Sequence, residues 1–232
     1  MEKKRCVAIV LAAGQGRRMG TKIQKQYLLL NGKPVLYYSL NVFQKSEVID
    51  EICIVTGAGD EDYCKREIVE RYGITKVSQI IAGGAERYLS VWNALQVIGE
   101  DGYVFIHDGA RPFVDEEMLY RVYNQVVCHR ACVVGMPVKD TIKISDENGF
   151  VKETPDRSRV WMVQTPQVFD MALVKRAYAL LIEKNEINVT DDAMVVEQMM
   201  KIPVKFVEGS YENIKITTPE DLKIGEIFAK NR

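Results

Sequence analysis

The densest chemistry in the sequence lies at residues 10–27, where Val-Leu-Ala-Ala-Gly-Gln-Gly-Arg-Arg-Met-Gly runs into Thr-Lys-Ile-Gln-Lys-Gln-Tyr. A β-branched apolar run over 7–11 has the length and composition of a buried parallel strand, and it breaks into the small residues Ala12, Ala13, Gly14 and Gly16. Such a break places a loop at a sheet's carboxyl edge, where ligands of open α/β sheets bind. Glycines there let backbone N–H groups approach a phosphate closely. Four cations, Arg17, Arg18, Lys22 and Lys25, crowd the same loop. That density suits more than one phosphate. A P-loop is excluded because no Lys-Ser or Lys-Thr follows Gly20, and a dinucleotide fingerprint is excluded because its third glycine comes one residue late. A solvated glycine turn is the remaining alternative, and the cations weigh against it.

A second cluster follows residues 103–107, an apolar strand pattern that delivers His107, Asp108, Gly109, Ala110 and Arg111. A carboxylate and a guanidinium at the carboxyl end of a parallel strand form a functional pattern. Asp115, ahead of Glu116 and Glu117, already supplies the cap of the next helix, which leaves Asp108 for chemistry. It is placed to hold Mg²⁺ directly or through water, or to accept from a substrate hydroxyl. Cys128, His129 and Cys132 lack a second ligand pair at zinc spacing, so no metal is assigned to protein residues with certainty.

Composition limits the partners. The 232 residues carry 31 Lys and Arg against 32 Asp and Glu, so a net charge of −1 supplies no global field toward nucleic acid or membrane. With 47% hydrophobic residues the chain can build one substantial core, and a single domain over 1–232 is expected. Lys3, Lys4 and Arg5 before an apolar stretch imitate a signal peptide, but cleavage there would remove the glycine loop, so the stretch reads as a first strand. No stretch approaches the roughly 18 apolar residues of a membrane span. Five cysteines form no C-x-x-C pair, and a cytoplasmic location is expected.

The elements that must position these residues alternate. Helices are expected over 34–44, 60–72, 86–98, 115–130, 171–184 and 193–200, the last with Thr190 as a cap. Strands are expected over 51–56, 77–82, 103–107, 161–169, 204–207 and 213–217, and Thr218-Pro219-Glu220-Asp221 opens a final helix. The alternation implies an α/β fold, a mostly parallel sheet flanked by helices. Residues 141–145 and 150–154 flank an Asn-Gly turn with period-2 alternation, which reads as a hairpin arm within 138–158. A lone hairpin is marginal in water, so this arm should pack on another chain and make a homodimer.

Taken in order, LAAGQGRRMG, KQY, GGAERYLSV, HDGARPF, PVKDT, PDR, QTPQVF, VTDD and NIKITTPEDL resemble the sugar- and polyol-phosphate cytidylyltransferases, from about Cys6 to the last helix. HDGARPF leans toward the branch whose acceptor is 2-C-methyl-D-erythritol 4-phosphate; the ribitol-5-phosphate branch shares most of the motifs. The resemblance implies a Rossmann-like nucleotidyltransferase fold and transfer of CMP from CTP to a polyol phosphate, with Mg²⁺ or another divalent cation. It implies that Arg18 and Lys25 contact the α-phosphate in its transition state. Ala12, Ala13, Gly14, Gly16 and Arg17 would hold the nucleotide's phosphates, Gly84 and Ser90 its cytosine, and Gly109 would lie near its ribose. Ala85 stands where relatives often carry an acid. Asp108, Arg111, Thr165, Thr190 and Lys215 would bind the acceptor, with Thr141 and Arg157 reaching in from the neighbouring arm. The alternative of another class is a non-catalytic nucleotide-binding module.

Overall fold

The structure is a computed structural model and describes residues 3–14, 16, 23–184 and 188–230. Arg17, Arg18 and Lys22 lie outside the described residues. Strand β1 (Cys6–Ala12) leads through the glycine loop to a 3-10 turn at Lys25–Tyr27. A two-stranded ribbon follows, β2 (Leu29–Leu30) with β3 (Lys33–Pro34), then α1 (Val35–Lys45) and β4 (Glu51–Thr56). The charged segment expected as one α-helix is a single α turn, α2 (Glu61–Cys64), continuing in π-helical form over Lys65–Glu70. Next come β5 (Val77–Ala82), α3 (Arg87–Val97), β6 (Tyr103–Asp108), α4 (Glu116–His129) and β7 (Ala131–Pro137). An arm carries β8 (Ile144–Ser145) and β9 (Val151–Glu153). The chain returns as β10 (Trp161–Asp170), α5 (Met171–Glu183), α6 (Asp192–Met200), β11 (Lys205–Glu208) and α7 (Pro219–Lys230).

Seven strands form one sheet in the order β11-β7-β10-β6-β1-β4-β5. β1 pairs in parallel with β4 and β6, β4 with β5, and β11 with β7; β10 is antiparallel to both its neighbours. One reversed strand therefore interrupts an otherwise parallel sheet. Alternation along β1 sends Ala8 and Val10 to the face covered by α1 and α4, and Val7 and Ile9 to the face covered by α3 and α5. These four side chains are fully buried, which is why the run reads as continuously apolar; each contributes about 1.5–3 kcal/mol where the side chain is large.

Two local features place the cleft. The Asp115 side chain accepts from the Met118 N–H at 2.7 Å, so the expected cap of α4 is in place. Residues 213–217, expected as a strand, form none: Ile216 donates its N–H to the Ala110 carbonyl and buries its side chain with Leu30, Val35 and Phe113 beneath α7. Gly225 permits that approach, because a Cβ there would sit 3.1 Å from Ile216 Cδ1. Packing, rather than strand pairing, thus carries Lys215 to the carboxyl edge of β6. The arm's short strands are solvent-exposed, with Phe150 at 72% exposure; Asp146 organises the turn by accepting from the Asn148 and Phe150 N–H groups.

Candidate functional site

A cavity of about 560 Å³ opens at the carboxyl edge of β1, β5 and β6. Ala13, Gly14, Gly16 and Lys25 form one side of it, and Gly84, Ala85 and Ser90 form another. Asp108, Ala110, Arg87 and Lys215 close the third. The loop ends that line it come from distant parts of the sequence, brought together by the crossovers of the parallel sheet.

On the glycine side, backbone dominates. Gly16 has φ +62°, and a Cβ there would lie 3.2 Å from the Lys25 backbone nitrogen, so only glycine lets the loop fold back against the Lys25 turn. Gln26 is buried and fastens that turn by donating to the Ala12 carbonyl and to Gln24, which in turn donates to Asp60. The Gly84 N–H donates to Ser90 Oγ at 3.1 Å, and the Ser90 hydroxyl donates to the Glu86 carbonyl at 3.2 Å. A Cβ on Gly84 would meet Leu89 Cβ at 2.4 Å.

On the opposite side, side-chain charge dominates. Asp108 accepts from Lys215 Nζ at 2.6 Å and from Arg87 Nε at 3.3 Å. Burial alone raises its pKa, but Arg87, Lys215 and Arg111 outweigh burial and hold the carboxylate well below the usual range. Arg87 also clasps the fully buried Asp192 through both terminal nitrogens, at 2.9 and 2.8 Å, and Tyr178 donates its hydroxyl to the same carboxylate at 2.6 Å. Asp108, expected to stand free for chemistry, is thus clasped between two cations. It positions Lys215 and Arg87 at the cavity wall. Among the described residues no group of three or more His, Cys, Asp or Glu side chains converges as a metal cage.

The expected site residues fall into three groups. Ala13, Gly14, Gly16, Lys25, Gly84, Ser90, Asp108 and Lys215 line the cavity, and Ala12 ends β1 immediately behind it. Arg111 and Thr165 stand behind Asp108: Arg111 Nη1 donates to the Asn213 carbonyl at 2.7 Å, and Thr165 Oγ1 accepts the Asp108 N–H at 3.1 Å. Gly109 is turned inward: a Cβ there would lie 2.8 Å from Leu36 Cδ1 and 3.0 Å from the Leu11 carbonyl. Thr190 is exposed and contacts Met194 Sδ, while the cap of α6 is Asp191, which accepts from the Met194 N–H at 2.9 Å. Thr141 and Arg157 are exposed parts of the arm, with Arg157 donating to the Lys139 carbonyl at 3.1 Å. Arg87 and Asp192 were missed as individual residues, although each sits inside a motif, GGAERYLSV and VTDD, whose other members were singled out.

A glycine loop with a lysine turn facing a cationic wall, at the carboxyl edge of a mostly parallel sheet, defines the class of α/β nucleotidyltransferases. The model of the family described as IspD: 2-C-methyl-D-erythritol 4-phosphate cytidylyltransferase matches residues 6–231, and the chain belongs to that family. The 2-C-methyl-D-erythritol 4-phosphate cytidylyltransferase of Lachnospira eligens is 50% identical over 224 residues, covering 96% of this chain and 98% of its own. The enzyme of the same name from Caldanaerobacter subterraneus is 44% identical over 96% of this chain and 98% of its own. Among solved structures, the 4-diphosphocytidyl-2C-methyl-D-erythritol synthase of Anaerococcus prevotii superposes with a TM-score of 0.87 at 33% identity, covering 97% of this chain and 96% of its own.

Proposed function

We propose that this chain transfers CMP from CTP to 2-C-methyl-D-erythritol 4-phosphate with release of pyrophosphate, in the non-mevalonate route to isoprenoid precursors. The observation that carries the reading is that the glycine loop and Lys25 line the same cavity as the Lys215–Asp108–Arg87 wall. Family membership over nearly the whole chain supports it. The acceptor's phosphate is mostly a dianion at neutral pH, because its second pKa is near 6, so no general base is required. One of its oxygens attacks the α-phosphorus of CTP; the new O–P bond forms as the bond to the bridging α–β oxygen breaks, and pyrophosphate carries away that electron pair.

The protein's task is to gather mutually repelling anions and stabilise the charge of the in-line transition state. Arg18 and Lys25 would do this at the α-phosphate, with the backbone of Ala12, Ala13, Gly14, Gly16 and Arg17 holding the remaining phosphates. Gly84 and Ser90 would read cytosine, with Gly109 near the ribose. Asp108, Arg111, Thr165, Thr190 and Lys215 would set the acceptor. A magnesium ion, when bound, would supply charge neutralisation of the triphosphate. The donor set fits an ion brought by the nucleotide and held mainly by its phosphates, because of the two carboxylates lining the cavity Asp108 is already engaged by Lys215 and Arg87, and Glu86 is the other.

The active unit in this reading is a homodimer of single-domain chains, in which Thr141 and Arg157 from the arm at 138–158 reach the neighbour's acceptor. Exposed Phe150, Val151 and Ile144 on an isolated two-stranded arm support that packing. The five cysteines are all free, which accords with the reducing cytoplasm. No described helix is long and apolar enough to cross a membrane.

Pyrophosphate release assayed with each component omitted tests the function. It is expected only when CTP, Mg²⁺ and 2-C-methyl-D-erythritol 4-phosphate are all present. A clear preference for ribitol 5-phosphate would move the chain to that branch, and CTP binding without turnover would make it a binding module.

A further inference from the structure

Behind the cationic wall lies a set of hydrogen bonds centred on His107 that the chemistry above does not use. His107 is fully buried, and both ring nitrogens are engaged: Nε2 lies 2.9 Å from the Arg111 carbonyl and Nδ1 lies 3.1 Å from Thr165 Oγ1. A carbonyl can only accept, so Nε2 carries the hydrogen. Burial drives the imidazole pKa down to about 4, against the pull of the Arg111 carbonyl and Asp108, so the ring is neutral and Nδ1 is a bare acceptor. The Thr165 hydroxyl must therefore give its one proton to His107, while its oxygen accepts the Asp108 N–H at 3.1 Å. Asn213 ties Thr165 to Arg111: its Nδ2 donates to the Thr165 backbone carbonyl at 2.9 Å, and its backbone carbonyl accepts from Arg111 Nη1 at 2.7 Å. Phe43 meets the imidazole edge-to-face at 5.3 Å and fixes the ring plane.

We infer that His107 is a positioning residue for the acceptor end of the cavity. Through Thr165 and the Arg111 carbonyl it holds the peptide that bears the Asp108 carboxylate, and it occupies the only proton Thr165 has to donate. Thr165 then influences the acceptor through Asp108 rather than by donating to a substrate phosphate. This rests on the acceptor site proposed above.

A double-mutant cycle tests it, with steady-state kinetics for CTP and 2-C-methyl-D-erythritol 4-phosphate on purified full-length protein. His107→Phe and Thr165→Val should each raise the acceptor KM tenfold or more and change the CTP KM less than twofold. Combined, they should be no worse than twofold beyond the larger single effect, because both cut the same link. His107→Gln, which keeps a donor toward the Arg111 carbonyl, should recover part of the loss seen in His107→Phe. Effects that multiply in the double variant would mean that Thr165 touches the substrate itself and would overturn the inference, as would equal rises in both KM values. If His107→Phe does not fold, His107→Gln takes its place in the cycle under the same criterion. A wild-type enzyme inactive on this acceptor overturns the proposed function as well, whereas an active wild type with a multiplicative cycle overturns only the role of His107.

Discussion

The two sides of the cavity are built by opposite means. The glycine side holds its shape through backbone: Gly16 turns on Lys25, Gly84 passes Leu89 closely, and the side-chain bonds nearby are short-range ties from Gln26 and Ser90. The Asp108 side is a lattice of charge around two buried carboxylates, in which Arg87–Asp192 and Lys215–Asp108 each join residues more than a hundred positions apart and Arg87 Nε links the two pairs. In the proposed assignment the glycine side would meet phosphates, which vary little in shape and can be bound by amides and cations. The Asp108 side would then meet the polyol phosphate, which must be told from its homologues, a task that favours side chains fixed before the substrate arrives.

The largest effect should come from breaking the lattice. Asp192→Ala leaves Arg87 without its two-bond partner and Tyr178 without an acceptor, and should cost about 3–5 kcal/mol of stability, read from urea unfolding. A loss below about 1 kcal/mol would show that the charges are not coupled as their geometry implies.

A second test uses pH. His107 has a folded pKa of about 4 against about 6.5 for an exposed imidazole, so the unfolded chain takes up a proton first as pH falls. Stability from this group is complete above pH 6.5 and is lost between 6.5 and 4, by about 3 kcal/mol. His107→Gln should flatten that slope in urea midpoints measured across the range. An unchanged slope would place the acid sensitivity elsewhere.

The glycine side should fail differently. Lys25→Ala should lower kcat by about 10²-fold, the scale of one lost transition-state donor, with little change in thermal midpoint because the lysine sits on a short turn. A pure rise in KM for CTP would assign Lys25 to ground-state binding instead. The smallest effect is expected on the arm. Arg157→Ala should raise the acceptor KM by roughly tenfold and leave CTP unaffected, as one lost charged hydrogen bond does. Mixed dimers with Lys25→Ala should regain activity at low acceptor concentration, and mixed dimers that recover nothing would exclude a shared site.

Legibility in the sequence followed locality. β4 and β5 have the bounds read from their β-branched runs and terminating glycines, and the cap of α4 was plain in Asp115 ahead of two acids. The direction of β10 was not legible, because an apolar run announces a strand without saying which way it lies. Residues 213–217 alternate like a strand, yet Ile214 and Ile216 satisfy that pattern by packing under α7. In the cavity, glycines and lysines were readable because loop chemistry is local. Arg87 paired with Asp192, and His107 bound to Thr165, join residues that no local pattern connects. His107 at the end of an apolar strand carries no mark that separates it from a core residue.

The reversal of β10 has a further consequence. The chain leaves the sheet after Pro137 and re-enters at Trp161, and these two residues are direct partners, with the Val138 N–H bonded to the Val160 carbonyl at 3.0 Å. The intervening segment is thus a closed excursion from one point on the sheet's rim. Its length is nearly independent of the core's stability, since doubling a flexible loop costs only about 0.6 kcal/mol. Evolution or a protein engineer can shorten, extend or exchange this excursion as a module while the sheet beneath stays the same.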